Sequence, residues 1–289
     1  MVERSARRGG GCRRRMTAPL AGLRVVELAR VLAGPWAGQM LSDLGATVVK
    51  VEGPGGDETR HWGPPFIPRD GSAAYFHGTN RGKRSVVADF RQSDDLARVK
   101  RLIAGADVVI ENFKVGGLTR FGLDPESLRA NDPALIICSI TGFGQTGPQA
   151  HHAGYDFIIQ GMCGLMSVTG EPSGQPQKVG VAVTDLFTGC YAATAILAAL
   201  HRRAETGRGD WIDLSLFETG VATTANQAMN YLASGTAPHR MGNAHPNIVP
   251  YQVFDCADGH IILAVGNDGQ FARLCEILGC PELPLDPRL

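Results

Sequence analysis

Short runs of β-branched residues alternate with longer helical patterns from about residue 20 to 205, and this alternation restricts the fold most strongly. Residues 24–28 predict a strand, Gly34-Pro35 opens a helix with proline in its favoured first turn, and residues 47–52 predict a second strand. A strand, helix and strand over about thirty residues require a parallel strand pair with a right-handed crossover.

The same alternation continues along the chain. Further strands are predicted at residues 85–89, 107–113 and 134–140, and further helices at 93–103, from 124, and at 183–203. The fold class is therefore α/β, with a Rossmann-like doubly wound parallel sheet.

The domain limits follow from changes in this pattern. Residues 1–18 are basic and predict a disordered extension, and residues 19–205 predict a large α/β domain. Residues 206–244 predict a linker helix and loop. Residues 245–289 contain a hairpin pattern around Ala257-Asp258-Gly259 and a helix near 269–278, which predict part of a smaller α/β domain.

Charge and composition exclude several classes of function. The 289 residues carry 28 basic and 28 acidic side chains, so nothing at the level of the whole chain indicates nucleic acid or a charged membrane surface. The longest apolar run, residues 191–200, is shorter than the roughly 18 to 20 residues of a membrane span. Seven cysteines without a C-x-x-C pair, and histidines without ligand spacing, favour reduced thiols, a cytoplasmic location and no metal site.

Distinctive residues follow or flank several predicted strands, where doubly wound sheets bind ligands. They include small residues at 30–35, basic residues at 80–85, Glu111-Asn112-Phe113-Lys114 with Arg120, and Thr141-Gly142-Phe143-Gly144. Together they offer cations for phosphates, flat rings for a base and glycines for close approach. No G-x-G-x-x-G or Walker motif is present, which disfavours a dinucleotide or a nucleoside triphosphate.

One acidic residue, Asp156, precedes an apolar helical stretch in the sequence Gly154-Tyr155-Asp156-Phe157. By residue type alone, an acid at such a position is more often a helix cap than a catalytic group. No H-E-x-x-H or G-x-S-x-G motif offers a metalloprotease or a serine nucleophile instead.

The order and spacing of these segments resemble the class III coenzyme-A transferases. The segments that carry the resemblance are V-L-A-G-P-W-A-G-Q-M-L-S-D-L-G-A-T-V-V-K-V-E at 31–52, N-R-G-K-R-S at 80–85, E-N-F-K at 111–114, S-I-T-G-F-G at 139–144 and A-G-Y-D at 153–156. H-P-N-I-V-P-Y-Q-V-F at 245–254 resembles members that act on dicarboxylates such as succinate or glutarate.

The resemblance implies a role for each matching position. Asp156 corresponds to a nucleophilic aspartate that forms an acyl anhydride and then a thioester with coenzyme A. The implied coenzyme-A contacts are Val31, Leu32, Ala33, Lys83, Arg84, Asn112, Phe113, Lys114, Arg120, Thr141, Gly142, Phe143 and Gly144. Lys114 stands where arginine is common in the family, and Leu32 replaces a polar residue found in some members.

Coenzyme A and acyl-coenzyme A are then substrates together with small carboxylic acids, and no permanently bound cofactor is expected. The family also implies an interlocked homodimer for the full-length protein.

The sequence leaves two alternative functions open. The same superfamily contains 2-methylacyl-coenzyme-A racemases, which carry histidine before the matching aspartate; here Tyr155 holds that position and Asp185 offers a second acid. Members of the family are also longer than this chain, so a truncated, inactive coenzyme-A binder is the other expectation.

Overall fold

The structure, a computed structural model, describes residues 18–287. These residues form two compact units, each built from two separated stretches of chain. The first unit contains the described residues through Ile140 together with Gly189–Asp213, and the second contains Thr141–Thr188 together with the described residues from Leu214 onward. The domain limits predicted at residues 205 and 244 differ from this division, and the predicted basic extension falls almost entirely outside the described residues.

A six-stranded sheet is the centre of the first unit. Its strands are β1 (Arg24–Glu27), β2 (Thr47–Glu52), β3 (Arg84–Val87), β4 (Val108–Glu111), β5 (Ile136–Thr141) and β6 (Trp211–Ser215). Their order is β3-β2-β1-β4-β5-β6, and the pairs β1–β2, β2–β3, β1–β4 and β4–β5 are parallel. The order reverses direction at β1, so the predicted doubly wound sheet is confirmed; β6 extends it past residue 205.

Apart from α2, the helices of this unit begin near the residues that local sequence signals indicate. They are α1 (Ala33–Asp43), α2 (Ala74–Thr79), α3 (Ser93–Ala104), α4 (Pro125–Asn131) and the greater part of α7 (Val183–Thr206). Asp124 caps α4 by accepting from the Ser127 N–H, and Pro125 occupies its first turn. α2 lies in a segment for which the sequence pattern predicts no helix.

The core of the first unit forms because the central strands are apolar on both faces, as buried parallel strands require. Val26, Val109 and Ile137 from three neighbouring strands pack with Val99 and Ile103 of α3 in one buried cluster. Register is fixed by these side chains, since a shift of one residue would turn them to the opposite face.

α7 is long and apolar enough, by length and composition alone, to cross a membrane. Core helices of water-soluble proteins share this property. Gly189 in α7 lies so close to Ala33 and Trp36 of α1 that an added Cβ would approach the Ala33 carbonyl oxygen to 2.7 Å. This part of α7 is therefore packed against α1.

The second unit combines short helices with a hairpin. Its further elements are α5 (Asp156–Met162), α6 (Leu165–Val168), α8 (Leu216–Thr223), α9 (Ala225–Ser234), β7 (Tyr251–Cys256), β8 (Gly259–Ala264) and α10 (Asp268–Leu278). β7 and β8 pair antiparallel, as the turn sequence predicts. The linker helix predicted within residues 206–244 is divided into α8 and α9 because Ala225 has a positive φ of 39°.

Candidate active site

Asp156 is the first residue of α5, and its side chain is held by four donors. Its carboxylate accepts from the backbone N–H of Thr184 at 2.8 Å, from the Thr184 hydroxyl at 2.5 Å and from the amide of Gln160 at 2.7 Å. The Asp185 N–H lies farther away, at 3.4 Å. The residue is only 9% exposed, so a negatively charged group is nearly buried and satisfied by neutral donors.

These donors exist because α7 begins at this point. The first N–H groups of a helix have no carbonyl partner four residues earlier, and the helix dipole makes that end positive. Asp156 occupies the position of a cap for α7, while the backbone cap of its own helix is Tyr155. The expectation that an acid here caps the helix it precedes is wrong: Asp156 lies inside α5 and accepts instead from N–H groups at the start of α7.

Gln160 fixes the other side of the carboxylate. Its side chain is fully buried, and its Oε1 accepts from the Val179 N–H at 2.8 Å. That bond orients the amide so that Nε2 faces Asp156. The four-residue spacing from Asp156 to Gln160 spans about one turn of α5, which brings both side chains to one face.

The loop at residues 141–144 reaches the segment before Asp156. A Cβ on Gly142 would lie 2.7 Å from both Cα and N of Gly154, so two glycines are required where the backbones meet. Gly142 also accepts from the Phe217 N–H at 3.0 Å. The structure therefore brings the predicted Thr141–Gly144 loop together with Asp156, and Phe143 packs near Phe217 with ring centroids 5.9 Å apart.

A second carboxyl group lies beside the first. Burial raises the pKa of Asp185 to about 7, and the nearby carboxylate of Asp156 adds to this effect. Near neutral pH, Asp185 is therefore close to its own pKa and can take up or release a proton.

In the first unit, the loop between β1 and α1 has an unusual backbone. Val31 has φ of 69°, which is strained for a β-branched residue. The amide of Asn112 holds the preceding residue from both sides, accepting from the Arg30 N–H at 2.9 Å and donating to the Arg30 carbonyl at 2.7 Å. α1 follows directly, and no side chain caps its free N–H groups at Leu32. Leu32 and Ala33 are themselves buried.

A buried cluster of four charges supports this loop. Glu27 contacts Lys50 at 3.1 Å and Lys83 at 2.8 Å, and Lys50 contacts Asp57 at 2.9 Å. Lys83 also donates to the Pro35 carbonyl at 2.7 Å and to Asn80 Oδ1 at 2.9 Å. Its side chain is 2% exposed and its three donors have acceptors, so the structure places this ammonium beneath the loop.

Burial determines the protonation of this cluster as well. Burial lowers the pKa of Lys83 to about 8, against the opposing attraction of Glu27. Lys50 is buried too, but the carboxylates of Glu27 and Asp57 outweigh that effect and raise its pKa. Gly38 has no side chain because a Cβ there would overlap the Glu27 carboxylate.

A cavity of about 400 Å³ lies at the carboxyl ends of β1, β2, β3 and β4. Phe90 and Phe113 stack in its wall with centroids 6.1 Å apart, and Arg120 lies over the Phe121 ring at 4.6 Å. Arg30 and Arg91 also line it. The predicted residues Phe113 and Arg120 are thus brought together here, whereas Lys114 and Arg84 are exposed and do not line this cavity.

Sequence reasoning missed several residues of these sites. Gln160 and Thr184 were not singled out, and neither were Phe90 and Arg91. Arg91 could have been found, because it lies two residues after the predicted 85–89 strand, where doubly wound sheets bind ligands. Thr184 could not, since no local pattern connects it with Asp156. Among the residues that the structure describes, no group of three His, Cys, Asp or Glu is arranged to hold a metal ion.

Comparison with known proteins shows the family of this chain. Residues 20–289 match the model of the CoA-transferase family III. The chain is 63% identical over 275 residues to a succinate–glutarate CoA-transferase of Agrobacterium fabrum, covering 93% of this chain and 69% of that one. It is 47% identical over 266 residues to a succinyl-CoA:glutarate CoA-transferase of Mus musculus, covering 92% of this chain and 61% of that one.

A solved structure has the same fold. The crystal structure of a CAIB/BAIF family protein from Brucella suis superposes with a TM-score of 0.84 at 62% sequence identity, over 94% of this chain and 72% of that one. The chain thus spans only about three fifths to seven tenths of the length of these relatives.

Proposed function

The chain belongs to family III of the CoA-transferases, and from this premise we propose that it moves coenzyme A from an acyl-coenzyme A to a small dicarboxylic acid. Succinyl-coenzyme A is the proposed donor and glutarate the proposed acceptor, because the two relatives described above carry succinate and glutarate in their names. The observation that carries the proposal is the Asp156 carboxylate, nearly buried and held by backbone, hydroxyl and amide donors.

A carboxylate suits this reaction because it is both a nucleophile and a leaving group. Asp156 attacks the thioester carbonyl, the coenzyme-A thiolate departs, and an acyl–aspartyl anhydride remains. The thiolate then attacks the aspartyl carbonyl and releases the first acid, which leaves an enzyme thioester. The acceptor acid repeats these steps in reverse, so one hard exchange is divided into easier ones.

Burial of the carboxylate matters for the same chemistry. An anhydride and a thioester both react with water, so exclusion of water protects each intermediate. The neutral donors around Asp156 stabilise negative charge without forming a competing ion pair. Gly142 and Gly154 let two backbone segments meet two residues before Asp156 in the chain.

Recognition of coenzyme A is proposed for the first unit. The arginines of the cavity at the strand ends offer charged donors to phosphates, and the Phe90 and Phe113 rings offer a face for the adenine base. The free N–H groups at the start of α1 favour an anion in the same way. We propose that Lys83 and Asn112 support the 30–35 loop, since their polar atoms are occupied by protein acceptors and donors.

A second candidate activity is racemisation of a 2-methylacyl-coenzyme A. The observation that favours it is Asp185, a second acid next to Asp156 with its pKa raised to about 7 by burial and by the neighbouring charge. A racemase needs one base on each face of the α-carbon. Incubation in deuterated water with no acceptor acid tests it, since deuterium uptake at the α-carbon is expected of a racemase and not of a transferase.

The transferase proposal is tested by an acceptor screen with succinyl-coenzyme A. Wild type is expected to form glutaryl-coenzyme A, and Asp156→Asn is expected to lose transfer by at least about a thousandfold, because an amide is a poor nucleophile. Binding of coenzyme A, measured by calorimetry, is expected to persist in the variant.

Asp94→Asn is the matched control, since Asp94 lies in the exposed first turn of α3 and outside both sites. Transfer at the wild-type rate by Asp156→Asn would refute the proposal. Coenzyme-A binding by the wild type without any transfer would instead support a protein that only binds the coenzyme.

A further inference from the structure

The two oxygens of Asp156 have different surroundings. Oδ1 accepts from the Thr184 N–H at 2.8 Å and the Thr184 hydroxyl at 2.5 Å, and the Asp185 N–H points to it from 3.4 Å. Among residues 18–287, which the structure describes, Oδ2 accepts from one group, the Gln160 amide at 2.7 Å. A free carboxylate is symmetric, so the protein alone makes its oxygens unequal.

Oδ1 lies where negative charge is best stabilised. Thr184 is fully buried, and its N–H belongs to the first turn of the 24-residue helix α7. Backbone N–H groups and a hydroxyl that converge on one oxygen are the features of an oxyanion hole. These donors are rigid, because a long helix and a buried side chain hold them in place.

Oδ2 is held less firmly and on one side. Gln160 is oriented by its bond from the Val179 N–H, and its Nε2 has only a long second contact, to the Val181 carbonyl at 3.4 Å. A single donor positions an oxygen without surrounding it. This oxygen is the one left with lone pairs free for attack.

We infer that the two oxygens keep separate roles through every turnover: Oδ2 is the nucleophile, and Oδ1 remains the carbonyl oxygen, with Thr184 as its oxyanion donor. This inference rests on the proposed transferase function and adds which atom performs each step. Gln160 is then a positioning residue that aims Oδ2.

The bonds and electron pairs follow from this assignment. Oδ2 forms a bond to the acyl carbon, and the carbon–sulfur bond breaks with its electrons on the thiolate. The thiolate then adds to Cγ of Asp156, and Oδ1 becomes an oxyanion. Collapse of this tetrahedral intermediate breaks the Cγ–Oδ2 bond. Oδ2 departs as a carboxylate oxygen of the released first acid, and Cγ remains bonded to Oδ1 and to the coenzyme-A sulfur.

The acceptor half restores the side chain. An acceptor carboxylate oxygen adds to Cγ, Oδ1 again carries the charge, and the thiolate departs. The thiolate next attacks the acyl carbon of the acceptor and breaks its bond to the bridging oxygen. Asp156 thereby regains a carboxylate whose Oδ2 came from the acceptor, while Oδ1 is never lost.

Heavy oxygen distinguishes these atoms. The enzyme is incubated for many turnovers with unlabelled succinyl-coenzyme A and with glutarate whose carboxyl oxygens are all ¹⁸O. It is then digested, and the mass of the peptide that contains Asp156 is measured by mass spectrometry. One heavy oxygen per Asp156 is the expected result. Two would overturn the inference, because the carboxylate would have rotated between turnovers.

A third result separates the inference from the function on which it rests. Transfer without any heavy oxygen on Asp156 would mean that this carboxylate is not the nucleophile, so it would overturn the inference and the role of Asp156 while the transferase activity itself stood. Absence of transfer and of label would defeat the proposed function and the inference with it.

The role of Thr184 is tested with Thr184→Val and Thr184→Ser. Valine has the same shape without the hydroxyl, so kcat is expected to fall by about a hundredfold with little change in KM, and a second heavy oxygen is expected to appear. Serine restores the donor and is expected to restore both the rate and the single label.

Thermal melts establish that both variants fold, and the label count is a readout that a purely structural role would not change. A Thr184→Val enzyme with wild-type kcat and one label would overturn the assignment of the oxyanion donor to this hydroxyl.

Discussion

Burial changes the pKa of several side chains in this protein, and Asp185 is the clearest example. Its pKa of about 7 lies above the ordinary value of 3.8 because the carboxyl group is buried beside Asp156. Between these two values the folded protein binds a proton that the unfolded chain has lost. Stability therefore falls as the pH rises through this window, and the full penalty is present above pH 7.

Asp185→Asn is expected to remove this penalty. The melting temperature of the variant minus that of wild type should increase from about pH 4 to pH 7 and then stay level, reaching a few degrees. Calorimetry or circular dichroism at several pH values measures it, with Asp94→Asn as the exposed control. A difference that is the same at every pH would contradict the assigned protonation of Asp185.

Glu27 is the residue on which the buried charge cluster depends. It faces both lysines, so Glu27→Gln would leave two buried ammonium groups with Asp57 as their remaining carboxylate. Removal of one partner from a buried ionic group costs about 3–5 kcal/mol. We expect a loss of this order in the free energy of unfolding in urea at pH 7.

A surface ion pair offers the matched control for this variant. Asp43 pairs with the exposed Arg81, where solvent screens the interaction, and Asp43→Asn is expected to change little. If Glu27→Gln were as stable as Asp43→Asn, the cluster would not support the loop that begins after β1.

At the scale of elements, the carboxyl ends of four parallel strands converge on the arginine-lined cavity. β1, β2, β3 and β4 are adjacent in the sheet, so the residues that follow them meet at one edge. The cavity residues meet in this way although Arg30 and Arg120 are far apart in the chain. The parallel sheet therefore assembles cations that the sequence scatters over about ninety residues.

Loss of a cavity arginine is expected to weaken coenzyme-A binding. Arg91→Met and Arg120→Met should each raise the dissociation constant about tenfold, because a hydrogen bond to a charged group is lost. Calorimetry with coenzyme A measures it, and binding of pantetheine, which lacks the nucleotide, should not change. Arg101→Met, on the exposed end of α3, is the control. Unchanged affinity in both variants would place the nucleotide elsewhere.

At the scale of the whole molecule, equal numbers of acidic and basic residues leave no net charge to attract a polyanion. Attraction of coenzyme A must then come from local groups. The second unit also exposes large apolar side chains, among them Leu232, Ile262 and Ile277, each more than 70% exposed. Exposed apolar side chains are often covered by a partner where they form a continuous patch.

Self-association is the expected consequence, and we propose a homodimer. Light scattering coupled to gel filtration should give twice the chain mass of 30.7 kDa at micromolar concentration. Ile262→Lys is expected to lower the observed mass if β8 contributes to the contact, whereas Asp94→Lys should not. A single-chain mass at all concentrations would contradict the proposal.

The order of strands and helices was predictable from sequence because period and turn residues act locally. β2 occupies the predicted residues, and the hairpin of β7 and β8 forms around the predicted turn. Local signals failed where tertiary contacts decide. α2 has no such signal, and the division between α8 and α9 depends on one strained residue.

For the candidate site, the sequence by itself determined the order and spacing of the motifs, and the family resemblance that they carry indicated Asp156 as the candidate nucleophile. Only the tertiary structure decided what surrounds that carboxylate. Thr184 is twenty-eight residues away and reaches Asp156 because α7 starts beside α5. The physical reason is that hydrogen bonds and burial depend on distance in space, which a sequence records only for near neighbours.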